Sequence, residues 1–479
     1  MPKKELICSD FTSAYLNQHS KYNMEQNIKD SLSFLAQWDW IHNFQVKDIF
    51  VKEVFETIPS EWLTHLRKLG TEEINELPFL ETSCQHMHPD WPSSLRNFIC
   101  QAPKLSIERT QTQDVTPTVV DASMARGMIP KKLHEVSWMA SLINDIVCKT
   151  DSNLVVDVGS GLGYLDHVLH QVYGHTVIGL ETSTSHTCAA EVRAANQGLT
   201  CSGLKSMKFD VTDDEDCFQK FKVVMNNLPV SIHCGHSKLQ NTRDSSKSFF
   251  PKVCLIGLHC CGDLSSSMLS LFHHVDCVRA LCCVCCCYHK MAFTDGKFLK
   301  FPMSLSCQKH YQELQKSLAL WQLSPCTFRL GAQETRCRWR AQTSDDHANH
   351  IRHVAFRGLL ELIDFEDSDT VRKKVRKCDF SSFENFLQSY FSPCKASEDV
   401  KATMTSSLRK LYEEHKDRLD LIEIITCLQV IVQPVIEALI YRDKVLWLLE
   451  RGWTDVNVIP IFDEVLSPRN LAIVAIKPS

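Results

Sequence analysis

The sequence predicts an α/β chain: a Rossmann-like sheet of seven strands, with a helical N-terminal region and a helical insertion between strands five and six. Three observations carry this. The stretch NLVVDVGSGLGYLDHVLHQVYGHTVIGLE (Asn153–Glu181) reads as strand, glycine turn, helix and strand, a βαβ unit. Seven short apolar runs at 154–158, 176–180, 205–209, 253–258, 278–286, 456–462 and 470–476 have strand texture, and the last two are spaced as a hairpin. Residues 1–120 and 303–450 instead carry apolar residues at helical spacing.

Taken in order, the chain divides into four segments. Residues 1–120 form a helical region, in which MEQNIKDSLSFLAQWDWIHNF (Met24–Phe44) and TIPSEWLTHLRKLG (Thr57–Gly70) have helix periodicity and stop signals. Residues 121–302 hold a helix around KKLHEV (Lys131–Val136) and the first five strands. Residues 303–450 are the insertion, and 451–479 supply the closing hairpin. The polar run Val230–Lys252 is expected to be a surface loop.

The strongest local signal is VVDVGSGLG. A strand containing Asp157 runs into Gly159, Ser160, Gly161 and Gly163, where glycine lets the backbone turn sharply beside a ligand. The spacing is G-x-G-x-G with an acid two residues before the first glycine, not the G-x-G-x-x-G of a pyrophosphate loop. S-adenosylmethionine has no phosphate but carries an ammonium, a carboxylate and a ribose. Asp157 suits the ammonium, Glu181 at the end of the next strand suits the ribose hydroxyls, and Asp210 after the third strand suits the adenine amine. A dinucleotide is the competing ligand; three acids at three successive strand ends favour S-adenosylmethionine and methyl transfer.

With those residues in place, MIPKKLHEV (Met128–Val136), VVDVGSGLG, GLHCCGDLS (Gly257–Ser265), CCYHKM (Cys286–Met291) and LSPRNLAIVAIK (Leu466–Lys477) together resemble the methyltransferase-like 25 family. The resemblance implies a seven-stranded methyltransferase sheet and S-adenosylmethionine as cofactor. RNA is the expected methyl acceptor, on base or ribose; a protein or small-molecule acceptor, or a catalytically silent binding module, is the alternative.

In an open α/β sheet, ligands bind beyond the carboxyl ends of the strands. Strand four ends at His259 and Asp263, strand five at Tyr288 and His289. His259, Asp263 or His289 is expected to take a proton from the acceptor, since imidazole titrates near neutral pH. Tyr288 is expected to stack on a base. Lys131, Lys132 and His134 are expected to bind substrate phosphates, with Glu135 facing the cofactor. The basic run Arg372–Lys377, followed by Phe380, Phe383 and Phe386, is a further surface for RNA. Asn227-Leu-Pro229-Val resembles the N-L-P-Y/F motif of adenine N6-methyltransferases and is the alternative placement of the active site, although Val230 replaces its aromatic residue.

The run ALCCVCCCYHKM (Ala280–Met291) lies on strand five, where neighbouring side chains face opposite ways. Cys283, Cys285 and Cys287 would share one face and Cys282 and Cys286 the other, so no metal centre is expected. The run divides into a buried strand and a functional tip from Cys287 to Lys290.

The 23 cysteines sit within apolar runs, and the N-terminus has no apolar signal region, so an intracellular chain, cytoplasmic or nuclear, is expected. Composition (44% hydrophobic, net charge −5) excludes a globally basic nucleic-acid wrapper. Leu421–Tyr441 approaches membrane-span length, but Glu423, Gln429, Gln433, Pro434 and Glu437 interrupt it, so a buried or amphipathic helix kinked at Pro434 is expected rather than a span. The helical regions offer surface for a protein partner.

Overall fold

The computed structural model describes residues 21–80, 89–198, 202–228, 250–318, 321–333, 335–363, 375–394 and 396–478. Pro229 and Val230 of the N-L-P-V run, Arg372 to Lys374 of the basic run and most of the 230–252 stretch lie outside them.

The chain forms two compact units. One comprises 1–32, 108–325 and 438–479; the other comprises 33–107 and 326–437. The segments 1–120 and 303–450, read separately along the sequence, thus contribute the two parts of a single helical unit.

The first unit is built on seven strands: β1 (Leu154–Val158), β2 (Val177–Glu181), β3 (Leu204–Lys208), β4 (Val253–Cys261), β5 (Val278–Cys286), β6 (Asp455–Pro460) and β7 (Leu471–Ile476). Their spatial order is β3-β2-β1-β4-β5-β7-β6. The first five are parallel, and β7 runs antiparallel to both β5 and β6. This is the predicted Rossmann-like α/β sheet with its closing hairpin. β1 and β5 have the expected bounds, whereas β4 continues to Cys261, three residues further than its apolar run suggests.

Each parallel crossover carries a helix: α2 (Tyr164–Tyr173), α3 (Thr184–Asn196), α4 (Glu215–Asn226) and α5 (Leu264–His274). Before β1 runs α1 (Pro130–Thr150), with Pro130 at its first position, where a missing N–H costs nothing. One sheet face sets Val155, Cys254, Ile256, Ala280, Cys282 and Val474 against Val136, Met139 and Ile143 of α1 and Leu165 and Val168 of α2. Strands buried on both faces are continuously apolar, so β5 shows nearly unbroken burial. Cys282 fits this role, its Sγ 4.0 Å from the Met139 Sδ. The described cysteines of β5 are free thiols, and Cys100 of the helical unit is disulfide-bonded.

The closing hairpin is tied to the segment before α1. Arg109 Nε pairs with Glu464 at 2.8 Å, and its guanidinium also donates to the Pro468 carbonyl at 2.7 Å. Asn470 donates to the Arg109 carbonyl at 2.7 Å. These groups are buried, and they fix the turn that carries Ser467.

In the helical unit, Phe356, Phe383, Phe386, Tyr390 and Tyr412 form an aromatic cluster. Phe383 and Phe386 are core residues and Phe380 stacks on His353, so these rings do not form an open stacking platform for RNA. The long helix α6 (Leu421–Glu450) runs unbroken through Pro434. Its length and composition suit a membrane span, yet 94% of its most apolar window is buried inside the protein. Its polar residues have partners there: Glu423 accepts from His347 at 2.5 Å and from His350 at 2.7 Å, and Gln433 donates to the Gly331 carbonyl at 3.0 Å. Satisfied polar groups are what a buried helix requires.

Candidate active site

The glycine loop leaves β1 at Asp157 and reaches α2. Gly159, Gly161 and Gly163 have φ of 75°, 58° and 69°, the left-handed region that favours glycine. At Gly161 a side chain would meet nothing within 4 Å, so the bare backbone faces open space. Glu181 braces this loop: one carboxylate oxygen accepts from the Gly161 N–H at 3.1 Å, the other from the Ser183 N–H at 3.0 Å. Burial raises the Glu181 pKa, but these backbone donors outweigh it and hold the carboxyl below its ordinary value, so it is an anion.

Beneath the loop lies a feature the sequence did not single out. Asp166, in the first turn of α2, is buried and shares a hydrogen bond with Asp157. Burial pushes Asp157 up to about 6, against the lowering effects of Asp166, Lys132 and His259. Asp166 is raised well above the ordinary carboxyl, first by burial and then by the Asp157 charge. Burial and the neighbouring Asp157 charge thus favour the protonated form of Asp166 over that of an ordinary aspartate. Gly179 on β2 makes room: a Cβ there would lie 2.5 Å from Ser160 Oγ and 2.6 Å from Asp166 Oδ2. Gly179→Ala should accordingly cost about 1–3 kcal/mol of stability through overpacking, seen as an earlier denaturant midpoint; an unchanged midpoint would show that Ser160 and Asp166 repack freely.

The carboxyl pair also sets a pH dependence. The Asp157 pKa in the fold, about 6, exceeds its ordinary 3.8, so its contribution is present below the lower value and lost as pH rises through the upper one. Relative to an Asp157→Asn variant, in which depressed carboxyls such as Glu135 and Glu181 contribute equally, the ligand-free protein should lose stability over that window. Asp166→Asn, which keeps a donor toward Asp157 without a proton to lose, should flatten the loss at higher pH. Melting temperatures of the wild type and both variants, measured across the window and above it, check both statements, and a wild type that does not fall relative to Asp157→Asn would refute the first.

The residues fit S-adenosylmethionine. Asp157 Oδ1 and Ser160 Oγ are buried without a hydrogen-bond partner in the protein, so a ligand at the loop would satisfy them. Asp157 and Ser160 would hold the amino-acid end and Glu181 the ribose hydroxyls. Asp210 stands two residues beyond β3 with its side chain exposed, open to the adenine amine.

KKLHEV lies in the first two turns of α1, and its face decides what each residue does. Lys131 is exposed. Lys132 turns inward toward Glu135, Asp157 and Asp166; burial lowers its pKa against the raising effect of these acids. His134 Nε2 accepts the Asp463 N–H at 3.0 Å, and burial lowers its pKa as well. Of the three residues expected to hold phosphates, only Lys131 points outward. Glu135 is 2% exposed and lies 3.2 Å from His259 Nε2. It also accepts from Ser467 at 2.8 Å, and Lys131 Nζ is 3.8 Å away. Burial raises the Glu135 pKa, but the His259 hydrogen bond and its other neighbours outweigh it and hold the carboxylate ionised.

His259 reaches this position because β4 is irregular there. The β4–β5 register shifts between Gly257 and Cys260, a bulge that re-aims one side chain. His259 is 40% exposed while Leu258 and Cys260 are buried. Asp263 Oδ2 accepts the Ala292 N–H at 2.9 Å, joining the end of β4 to the loop after β5. His289 is half-buried in the turn Tyr288–Lys290.

Two expectations at the tip of β5 need correction. Tyr288 is 1% exposed and its hydroxyl donates to the Cys285 carbonyl at 3.4 Å, so it cannot stack on a base. The cause is Cys287, whose φ of 37° and ψ of 46° are left-handed and turn the chain back on itself. The same reversal cancels strand alternation: Cys261, Cys286 and Cys287 place their sulfur atoms within 4.8 Å of one another. The expectation that neighbouring cysteines could not converge therefore fails at this turn.

A family profile described as a methyltransferase domain matches residues 131–294. A Mus musculus protein named probable methyltransferase-like protein 25 is 26% identical over 95% of this chain and 96% of its own length. A Homo sapiens protein of the same name is 24% identical over 72% of this chain and 74% of its own. Among solved structures, coclaurine N-methyltransferase bound to N-methylheliamine and SAH aligns over 81% of this chain and 95% of its own, at 11% identity. With a TM-score of 0.22, that likeness carries no argument.

Proposed function

We infer the acceptor chemistry from the premise that this chain belongs to the methyltransferase-like protein 25 family and is an S-adenosylmethionine-dependent methyltransferase. The reading is methyl transfer to a nitrogen or oxygen nucleophile of RNA, with His259 as general base. The observation that carries it is the His259–Glu135 pair, an exposed imidazole held by a buried carboxylate at the carboxyl end of β4.

When bound, S-adenosylmethionine supplies a methyl group on a positively charged sulfur. The chain supplies the rest. His259 Nε2 donates to Glu135, which leaves Nδ1 with its lone pair available. Nδ1 would take the acceptor's proton, and Glu135 would stabilise the resulting imidazolium. Ser467 and Lys131 hold Glu135 in turn, so the hairpin turn is part of the apparatus.

RNA is favoured over other acceptors by local charge. Lys131 and Lys290 are exposed beside His259 and Cys261 at this strand end, and ammonium groups there suit phosphates flanking a target nucleotide. An intracellular setting, cytoplasmic or nuclear, is part of the same proposal.

The test is methyl transfer from labelled cofactor into cell extract, separated into RNA, protein and small-molecule fractions. Label in RNA that ribonuclease releases is the expected result. Label confined to another fraction overturns the acceptor, and no label from a chain that binds the cofactor makes it a silent binding module.

A further inference from the structure

We propose that Cys261, Cys286 and Cys287 form a zinc site at the carboxyl ends of β4 and β5. Their three sulfur atoms lie within 4.8 Å of one another, and Cys261 Sγ is 3.1 Å from Cys286 Sγ. Sulfurs sharing one tetrahedral zinc at about 2.3 Å stand about 3.8 Å apart, inside the limit that all three pairs meet.

The backbone is shaped to bring them together. Cys261 and Cys286 are partners in the β4–β5 register. Cys287, next in sequence, would point to the opposite face of a continued strand. Its left-handed conformation, one that residues with a side chain rarely adopt, turns its thiol back to the same place. Gly262 follows Cys261 at a φ of 57°, and a Cβ there would lie 2.7 Å from the Lys290 carbonyl oxygen. Only glycine lets the two strand ends approach so closely.

The remaining cysteines of the run separate cleanly from this group. Cys282, Cys283 and Cys285 are fully buried within β5, where they pack as small apolar residues. Cys261 and Cys287 are half-buried, so an ion can reach the trio from solvent. Three thiolates select a soft or borderline ion, and three protein ligands leave the fourth zinc position to water. None of the three is used by the loop that holds the cofactor or by the His259–Glu135 pair.

The full-length chain, purified under reducing conditions and supplied with zinc, should retain about one zinc per chain after gel filtration. Titration against a zinc-chelating dye should show at least about 100-fold weaker zinc binding in Cys261→Ser and in Cys287→Ser. Cys188→Ser, which removes an exposed thiol on α3, should behave as wild type. S-adenosylmethionine binding, measured on each variant, separates loss of the ion from loss of the fold. Cobalt substitution of the wild type is the second readout and should give a thiolate-to-cobalt charge-transfer band even if the serine variants do not fold. Zinc retained in both site variants, no zinc or cobalt band in the wild type, or a Cys261–Cys286 disulfide in place of the ion overturns the proposal.

Discussion

Asp157→Ala combined with Glu181→Ala is expected to weaken S-adenosylmethionine binding by about 10²–10⁴-fold. Each carboxylate offers a charged acceptor to the cofactor, and such hydrogen bonds contribute about 1.5–3 kcal/mol apiece. Asp157 has a buried oxygen without a partner in the protein, so truncation there removes an acceptor that only a ligand can use. Glu181 has a second task, since it also fixes the Gly161 and Ser183 N–H groups. Glu181→Ala alone should therefore both weaken binding and loosen the loop, and the two substitutions need not be additive. Titration calorimetry on folded protein decides it. Unchanged affinity in the double variant would move the cofactor away from this loop.

His259→Ala is expected to lower kcat by about 10²–10⁴-fold, the usual contribution of a positioned general base, with cofactor affinity near that of wild type. Glu135→Gln should give a smaller loss, because glutamine keeps the packing and an oxygen facing Ser467 but no longer pairs a charge with the imidazolium. The order of effects discriminates. A merely structural His259 would show its loss in stability, with turnover per folded molecule preserved. Glu135→Gln more damaging than His259→Ala would instead make the carboxylate the base.

Local patterns explain why the fold was so legible. The βαβ unit around Asp157 to Glu181 and the run at 278–286 are apolar stretches punctuated by glycine or polar sequence, and a strand announces itself in such terms. Asp157, Glu181 and Asp210 stand out in the sequence because each lies at or just beyond the carboxyl end of a strand. What escaped depends on direction. Lys132 and His134 neighbour Lys131 in sequence, but helical rotation turns them inward. Asp166 looks like an ordinary first-turn helix acid until Gly179 lets it press against Asp157. Tyr288 and the cysteine trio both turn on one left-handed residue, Cys287, and a cysteine gives no local warning of such a backbone. The joining of 33–107 with 326–437 into one unit rests on contacts between distant segments, which no window of sequence displays.

The antiparallel partner of β5 has a consequence for how the chain is made. Cys282 lies opposite Val474, so the entire 303–450 segment must be synthesised before the strand acquires its neighbour. Until then a nascent chain on the ribosome carries β5 with its hydrogen-bonding edge bare, and that strand is apolar apart from Arg279. Late closure of this kind is slow and leaves sticky intermediates. A chain truncated before Leu471 should accumulate as chaperone-bound or insoluble material, although it retains the whole glycine loop and the His259–Glu135 pair.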